Sequence, residues 1–326
     1  MTPAGQAPAM SSGEPIDVVY TWVDDAWPGY LDQLDAFAGT RHDRNRNRTR
    51  DNLDVLRYSM RSLCQHMPWV RNVHLFTMRP QVPSWLDVHH PRIRVIHHDE
   101  VMSPVVLPTF NSFAILSYLH LLEGLSERFV YIVDDFLMGA PVARADLAGD
   151  GECDPMYFEH RYSPAPPLMN RPDKSPWDAG RAYTNKLLDE AFGPARRLDV
   201  GHVPAVFRRS IWGEMIERWP EDFDRTRTSR FRARYNVVPE FLYPYYLIHR
   251  GLGYAVPSAV AKRSMHYVSI DNLDLKARFD IWSIKRRGAK FSALNDNFGD
   301  EPNPRVVRRW RAFLREMWPT PCMFEK

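Results

Sequence analysis

The chain has 326 residues, enough for one large α/β domain or two small ones, and 44% of them are hydrophobic, so it can bury a sizeable core and need not be disordered. Its formal charge of +3 gives no reason to expect nucleic acid as a partner, and no stretch approaches the ~18 apolar residues of a membrane span. Cys64, Cys153 and Cys322 are odd in number and far apart, which fits neither a disulfide framework nor a Cys-x-x-Cys metal knuckle. A reducing compartment is the simplest expectation, in a bacterium the cytoplasm or the inner face of its membrane.

Met1 to Pro15 is small and polar, without the apolar run of a signal peptide, and is expected to be a disordered lead-in. Ile16 to Val23 is β-branched, aromatic and nearly all apolar, the pattern of a strand buried on both faces. It ends at Asp24-Asp25, and Trp27-Pro28-Gly29 is a turn. Arg41 to Arg50 is polar, rich in arginine and without period, hence a loop. Asp51 or Asn52 can cap a helix running to about His66, with Leu53, Leu56, Met60 and Leu63 on one face. Arg57 and Arg61, four apart, share another face. Val73 to Thr77 and Ile93 to Ile96 read as strands, Phe110 to Leu122 as a buried helix, and Phe129 to Val133 as a strand ending at Asp134-Asp135.

This alternation argues for a mainly parallel sheet with helices on both faces. Ligands bind outside the carboxyl ends of such strands, where Asp24 and Asp134-Asp135 fall. The second half is more helical. Ser163 to Pro176 holds five prolines and reads as a lid or linker. Helices are expected near 184–192, 209–219, 239–250, 271–287 and 304–318, with a short strand at Phe291 to Leu294. The chain divides into the lead-in, a domain over 16–300, and a C-terminal helix and tail over 301–326.

Several constellations carry chemistry, each beside a plainer reading. The adjacent carboxylates Asp134 and Asp135 repel, so a cation is their natural counter-charge, and Mg²⁺ favours one or two carboxylates plus phosphate oxygens; two surface aspartates at a strand end are the alternative. Arg48, Arg50, Arg57 and Arg61 crowd one region, and guanidinium forks suit phosphate; a solvated face paired with Asp51 and Asp54 is the plainer account. His202, between Gly201 and Val203-Pro204, could accept a hydroxyl proton, though a lone histidine is more often structural. His97-His98-Asp99-Glu100 alternates faces on an extended segment and reads as a solvated loop rather than a metal cluster. The C-terminal helix, with Val306, Trp310, Phe313, Leu314 and Met317 on one face, docks on its own domain or lies on an anionic membrane.

Taken together these segments resemble the Stealth family, which includes bacterial capsule hexose-1-phosphate transferases and the catalytic subunit of the lysosomal-enzyme N-acetylglucosamine-1-phosphotransferase. The first family block is similar to Ile16 through Asp24. The second runs from Arg50-Asp51-Asn52 through Leu56-Arg57-Tyr58-Ser59-Met60-Arg61-Ser62, Pro68-Trp69-Val70-Arg71-Asn72, Pro83-Ser84-Trp85-Leu86 and Leu107-Pro108-Thr109-Phe110-Asn111-Ser112 to Asp134-Asp135. The third resembles His202-Val203-Pro204, Phe231-Arg232 and Leu242-Tyr243, and the fourth Leu294-Asn295-Asp296-Asn297. The chain departs from the family pattern at Val133 (usually Asn), Thr77-Met78-Arg79-Pro80-Gln81 (usually Thr-Asn-Gly-Gln), Leu116 (often Glu), Asn236 (often Asp) and Ala293 (often Cys).

The resemblance implies an α/β, GT-A/Rossmann-like domain that transfers a hexose-1-phosphate from a UDP-sugar to a hydroxyl of an oligosaccharide or polysaccharide. UMP is released and a phosphodiester forms, in capsule or exopolysaccharide synthesis. The implied roles are Asp134 and Asp135 on Mg²⁺ or Mn²⁺, and Arg57, Arg61 and Arg232 on phosphate oxygens. His202 is the base with Asp24 as its competitor, and Asn111, Ser112, Asn295 and Asp296 line the substrate site. A peripheral association with the membrane stays open, as does the oligomeric state. The competing readings are a GT-A type glycosyltransferase releasing UDP and a catalytically silent sugar-binding relative.

Overall fold

The computed structural model of the protein describes residues 13–40, 42–44, 51–149 and 151–326. Among the described residues the strands are β1 Asp17–Trp22, β2 Val73–Thr77, β3 Ile93–His97, β4 Arg128–Val133, β5 Phe136–Met138, β6 Asp154–Met156, β7 Phe158–Tyr162, β8 Leu198–Val200, β9 Ala205–Arg208, β10 Gly253–Ala255, β11 Met265–Ile270 and β12 Phe291–Asp296. The main sheet has the order β3-β2-β1-β4-β9. β3, β2, β1 and β4 are parallel, and β9 closes the edge antiparallel to β4. β1 is the middle strand, flanked by β2 and β4, and Val18, Val19, Tyr20, Val73, Leu75, Phe76, Phe129 and Val130 are buried there on both faces of the sheet. The mainly parallel α/β sheet expected from the sequence is therefore present.

The chain steps outward from β1 to β2 and β3, then returns to the other side of β1 for β4. That reversal opens a crevice at the carboxyl ends of β1 and β4, the place where open α/β sheets take ligands. A second layer holds β11, β12 and β5, with β12 parallel to β11 and antiparallel to β5. It shares a separate apolar core with Leu53, Val55 and Tyr58, completed by Val306, Trp310, Phe313 and Leu314 of the helix Pro304–Met317. The terminal helix thus docks on its own domain by the face its 3.6-residue period marks out.

Four local expectations need correction. The segment 110–122 is no single helix: Asn111 caps a five-residue helix, Ser112–Leu116, by accepting from Phe113 N, and a 3₁₀ turn comes next at Leu119–Leu121. His98 is not in a solvated loop but opens the short helix His98–Val101, buried with its ring edge-on to Phe76 at 4.7 Å. Cys64 and Cys322, distant in sequence, come close in space as free thiols, and their mutual influence raises the thiol of Cys64 and lowers that of Cys322. Finally, the proline-rich stretch 163–176 carries the 3₁₀ helix Pro166–Asn170, and Arg234 donates to the Pro172 carbonyl at 2.8 Å, which fixes the stretch to segment 231–236.

Candidate functional site

β1 leaves the sheet as Val23-Asp24. The backbone of Asp24 is clasped by the buried amide of Gln81, which accepts from Asp24 N at 2.8 Å and donates to Asp24 O at 3.1 Å. Beyond the neighbouring crevice wall, β4 ends at Asp134-Asp135, a turn leading into β5. Burial pushes the Asp134 carboxyl well above the ordinary carboxylate range, and the charges of Asp135 and Asp51 push it further. Asp51, which accepts from Val55 N at 2.8 Å ahead of the helix Val55–His66, whose N-cap residue is Asp54 rather than Asp51 or Asn52, is raised to about 7. Burial is the main cause; the Val55 N–H works against it, and Asp54, Asp24 and Asp296 add repulsion. Aspartates from separate chain segments therefore feel one another at this rim.

Asp135 divides its two oxygens. Oδ2 lies 3.7 Å from His202 Nε2, whereas Oδ1 is buried and, among the described residues, has no hydrogen-bond partner. His202 rides the loop between β8 and β9, with its ring edge-on to Phe136 at 4.6 Å and steeply inclined to Tyr267 at 5.7 Å. The loop comes this close because residue 201 is glycine: a Cβ there would sit 2.6 Å from Met265 Sδ and 3.1 Å from the Tyr157 carbonyl. Asn295 donates to the Tyr267 hydroxyl at 2.6 Å, and Asn52 donates to Asp296 Oδ2 at 2.7 Å. The fourth sequence block thus reaches the same rim from β12.

Arg232 stands opposite. Ser112 Oγ accepts from its Nε at 3.1 Å and its Nη2 at 2.6 Å, and its guanidinium lies 4.9 Å over Phe113 and 5.1 Å over Trp177. Glu240, missed by the sequence reading, joins this group to the rim: burial raises its carboxyl although Arg232 and His202 both pull it down. Asn111 does not line the crevice. It is fully buried, and its amide donates to Ser229 O and to Asn236 Oδ1, both at 3.0 Å. It sets the position of Ser112 and of the turn that carries Arg232.

Arg57 and Arg61 are engaged elsewhere. Both donate through Nε to the Glu325 carboxylate at 2.6 Å, and Arg61 also donates to the Trp318 carbonyl at 2.9 Å. The Glu325 side chain is 1% exposed. Burial opposes its charge, but the bonds from Arg61, Cys322 N and Arg57 win and hold its carboxyl at about 2. These arginines clamp the tail, beside a cavity of about 710 Å³ that Asp51, Arg311 and Arg315 also line. Arg48 and Arg50 lie outside the described residues.

Whether the rim suits a divalent cation is decided by its donors. Among the described residues no three His, Cys, Asp or Glu side chains converge on one point. Two adjacent carboxylates, one oxygen of them buried without a partner among the described residues and the other carboxyl raised by burial and then by repulsion, nevertheless match a hard cation that takes the rest of its oxygens from phosphate and water. The residues fit Mg²⁺ or Mn²⁺ in the presence of a phosphorylated substrate.

These features define an α/β protein with an acidic crevice at its topological switch point, faced by a histidine and an arginine. The chain belongs to the Stealth family. Residues 48–153 match Stealth protein conserved region 2, which holds the Asp134-Asp135 pair, and residues 201–249 match conserved region 3, which holds His202 and Arg232. It is 37% identical over 320 residues to "Exopolysaccharide phosphotransferase SCO6023" of Streptomyces coelicolor, covering 96% of this chain and 52% of that protein. It is 31% identical over 321 residues to "Exopolysaccharide phosphotransferase CpsY" of Mycobacterium tuberculosis, covering 95% of this chain and 58% of that one. The chain therefore spans about half the length of the curated relatives it matches. Among solved structures it is similar to the galactosyltransferase LgtC, at 11% identity and a TM-score of 0.41 over 92% of this chain and 96% of that one. It is similar too to mouse xyloside xylosyltransferase 1, at 10% identity and the same TM-score over 87% and 98%.

Proposed function

We propose that this chain transfers a sugar-1-phosphate, such as N-acetylglucosamine-1-phosphate, from a UDP-sugar to a hydroxyl of an oligosaccharide or polysaccharide. The acceptor oxygen attacks the β-phosphorus while the bond from that phosphorus to the bridging oxygen breaks. UMP leaves with the bridging oxygen, and the sugar-1-phosphate stays joined to the acceptor by a phosphodiester. The observation that carries this reading is the Asp135 carboxylate, with one buried oxygen unpartnered and the other 3.7 Å from His202. It sets a cation-binding acid and a proton acceptor side by side, as phosphoryl transfer to a hydroxyl requires. The exopolysaccharide phosphotransferase names of the relatives agree with it.

His202 takes the acceptor proton in this scheme, and Arg232, steadied by Ser112 and Trp177, donates to the moving phosphoryl oxygens. Asp134 and Asp135 would hold Mg²⁺ or Mn²⁺, which would supply positive charge against the pyrophosphate. Asn295 and Asp296 bound the sugar side, and Asp24 shapes the β1 wall of the crevice. Asn111 acts through Ser112, and Arg57 and Arg61 hold the tail rather than phosphate. The test is a panel of UDP-sugars with a sugar acceptor, Mg²⁺ present, in which UMP and UDP are separated and the product is read by phosphorus NMR. UMP with a phosphodiester resonance is expected, and His202→Ala should lower kcat by roughly 10²–10⁴-fold. UDP with a phosphorus-free product replaces this reading by a glycosyltransferase.

A further inference from the structure

The helix Asp274–Arg287 links β11 to β12 and carries two apolar stripes instead of one. Ala277 and Ile284 form the inner stripe and are buried in the second core, with Ile281 packed beside them. Leu275, Phe279 and Trp282 recur at i, i+4 and i+7 on the other side, where they are 80%, 64% and 55% exposed. Leu273, one residue before the helix, is exposed as well. A helix with water on its outer face should be polar there. Single exposed apolar side chains need no explanation, but a contiguous aromatic and aliphatic row does. The Phe279 and Trp282 rings touch, with centroids 5.7 Å apart.

Charge on this helix is one-sided. Its last turn is Lys285-Arg286-Arg287, of which Lys285 is paired with Glu316 at 2.7 Å, and the Arg286 guanidinium lies 5.6 Å over the Trp282 ring, at the end of the apolar row. The acids are already engaged: Asp274 by Arg309 at 2.9 Å and Arg278 at 3.1 Å, and Asp280 by Lys276 at 2.7 Å. What the face offers a partner is apolar rings and aliphatic tips bordered by cations. Tryptophan and arginine in that arrangement suit the boundary between acyl chains and phosphate headgroups.

We infer that Leu275, Phe279, Trp282 and Arg286 form a docking face for an anionic lipid surface. The helix Pro304–Met317, which the sequence offered for that role, has buried its apolar face in the second core, and among the described residues no helix is long and apolar enough to cross a membrane. The carboxylates of this helix, Asp274 and Asp280, are already ion-paired, so a carbohydrate chain is the poorer fit; a protein partner would leave the basic turn facing an acidic surface. The helix runs directly into β12, which bears Asn295 and Asp296, so docking through it holds the crevice at a fixed attitude to the bilayer. The inference does not depend on which bond the enzyme breaks.

The test is co-sedimentation of the full chain with vesicles of phosphatidylcholine and phosphatidylglycerol in equal parts, against phosphatidylcholine alone. Binding to the anionic vesicles, weakened by salt, is expected. Phe279→Ser with Trp282→Ser, and separately Arg286→Glu with Arg287→Glu, should each cut the bound fraction about tenfold or more. All four positions face solvent, and circular dichroism with a melting curve verifies that the variants fold. No preference for anionic vesicles, or variants that bind as well as the parent, overturns the inference. So does a parent that self-associates without lipid and turns monomeric in the Ser variant, because the face then belongs to a second copy of the chain.

Discussion

The two ends of the main sheet hold carboxylates in opposite states. At the amino end of β1, Asp17 is fully buried yet saturated: it accepts from Ser126 N at 2.9 Å, Asn72 N at 3.1 Å and Arg71 Nε at 2.8 Å, with His74 Nε2 3.4 Å away. Burial opposes its charge, but these donors prevail and keep it well below the usual carboxylate range. At the carboxyl end, Asp134 is pushed up by burial and by its acidic neighbours, and Asp135 keeps a buried oxygen with no partner among the described residues. Trp22 Nε1 and Thr77 Oγ1, neighbours across β1 and β2 at that same end, are also buried without partners among the described residues. A fold that can satisfy one buried acid on β1 so completely does not leave the other end short of partners by incapacity. The shortfall is what a ligand would fill.

The sharpest way to break the comparison is Asp135→Asn. If the carboxyl end is built for a cation and a phosphate, this change removes a ligand and leaves His202 without its acidic neighbour. Activity should fall by at least about 10³-fold, the scale on which loss of a transition-state charge partner registers. Stability should hold or rise, since Asp134 loses its nearest like charge. A thermal melt beside a turnover assay separates the two. A variant that melts several degrees lower would place Asp135 among the structural acids and end the distinction.

Asp17→Ala probes the other end and should give the reverse pattern. It strands the Ser126 and Asn72 N–H groups and removes the acceptor of Arg71, at about 2–3 kcal/mol of unfolding free energy, less than for a wholly buried pair because Arg71 is 41% exposed. Turnover per folded molecule should change little. Denaturant unfolding and active-site titration check both halves. The clasp of Arg57 and Arg61 on Glu325 is of the same kind, so Glu325→Ala should likewise act on stability.

The sequence made the carboxyl end legible and the saturated sites obscure, for one physical reason. Strands buried on both faces announce themselves as apolar runs, and the residues just past such a run in an α/β chain lie at the ligand end; hence Asp24, Asp134 and Asp135 could be placed from the sequence alone. His202 and Arg232 were assigned through the family resemblance rather than through any local period. Glu325 with Arg57, 268 residues apart, leaves no trace in spacing. Asp51 read only as a helix cap, because nothing local says that Asp24 and Asp296 come near it. The segment 110–122 misled for a related cause: an apolar stretch buried all round shows no period, and Asn111 starts its helix two residues in. The outer stripe of the helix Asp274–Arg287 was hidden because one sequence cannot say which of two apolar faces is inside.

The smallest expected effect concerns buried groups of the opposite polarity, and it is read as a dependence of stability on pH. Burial holds His98 neutral down to about 3, and both its ring nitrogens are buried without partners among the described residues. Burial, with Arg227 and Arg209 nearby, holds His120 neutral to about 4. In the unfolded chain each imidazole takes a proton below about 6.5. Between there and its depressed value the unfolded state binds the extra proton, so the native state loses stability as pH falls. Asp17 and Glu325 act lower. Their carboxyls are depressed in the native state, so their contribution is complete above their ordinary values of 3.8 and 4.5 and is lost only as pH drops through and below them. Between about 6.5 and 4.5 each buried ring contributes a slope of up to ~1.4 kcal/mol per pH unit, and the raised carboxyls of Asp51 and Asp134, which take up a proton in the native state first, contribute with the opposite sign. His98→Leu keeps the contact with Phe76 and removes one ring's titration, so it should take that ring's share out of the slope in that interval and leave the acid limb to Asp17 and Glu325. Urea unfolding at closely spaced pH values reads the slope directly. A His98→Leu variant with an unchanged slope from neutral pH down to the acid limb would show that this ring does not stay neutral in the native protein.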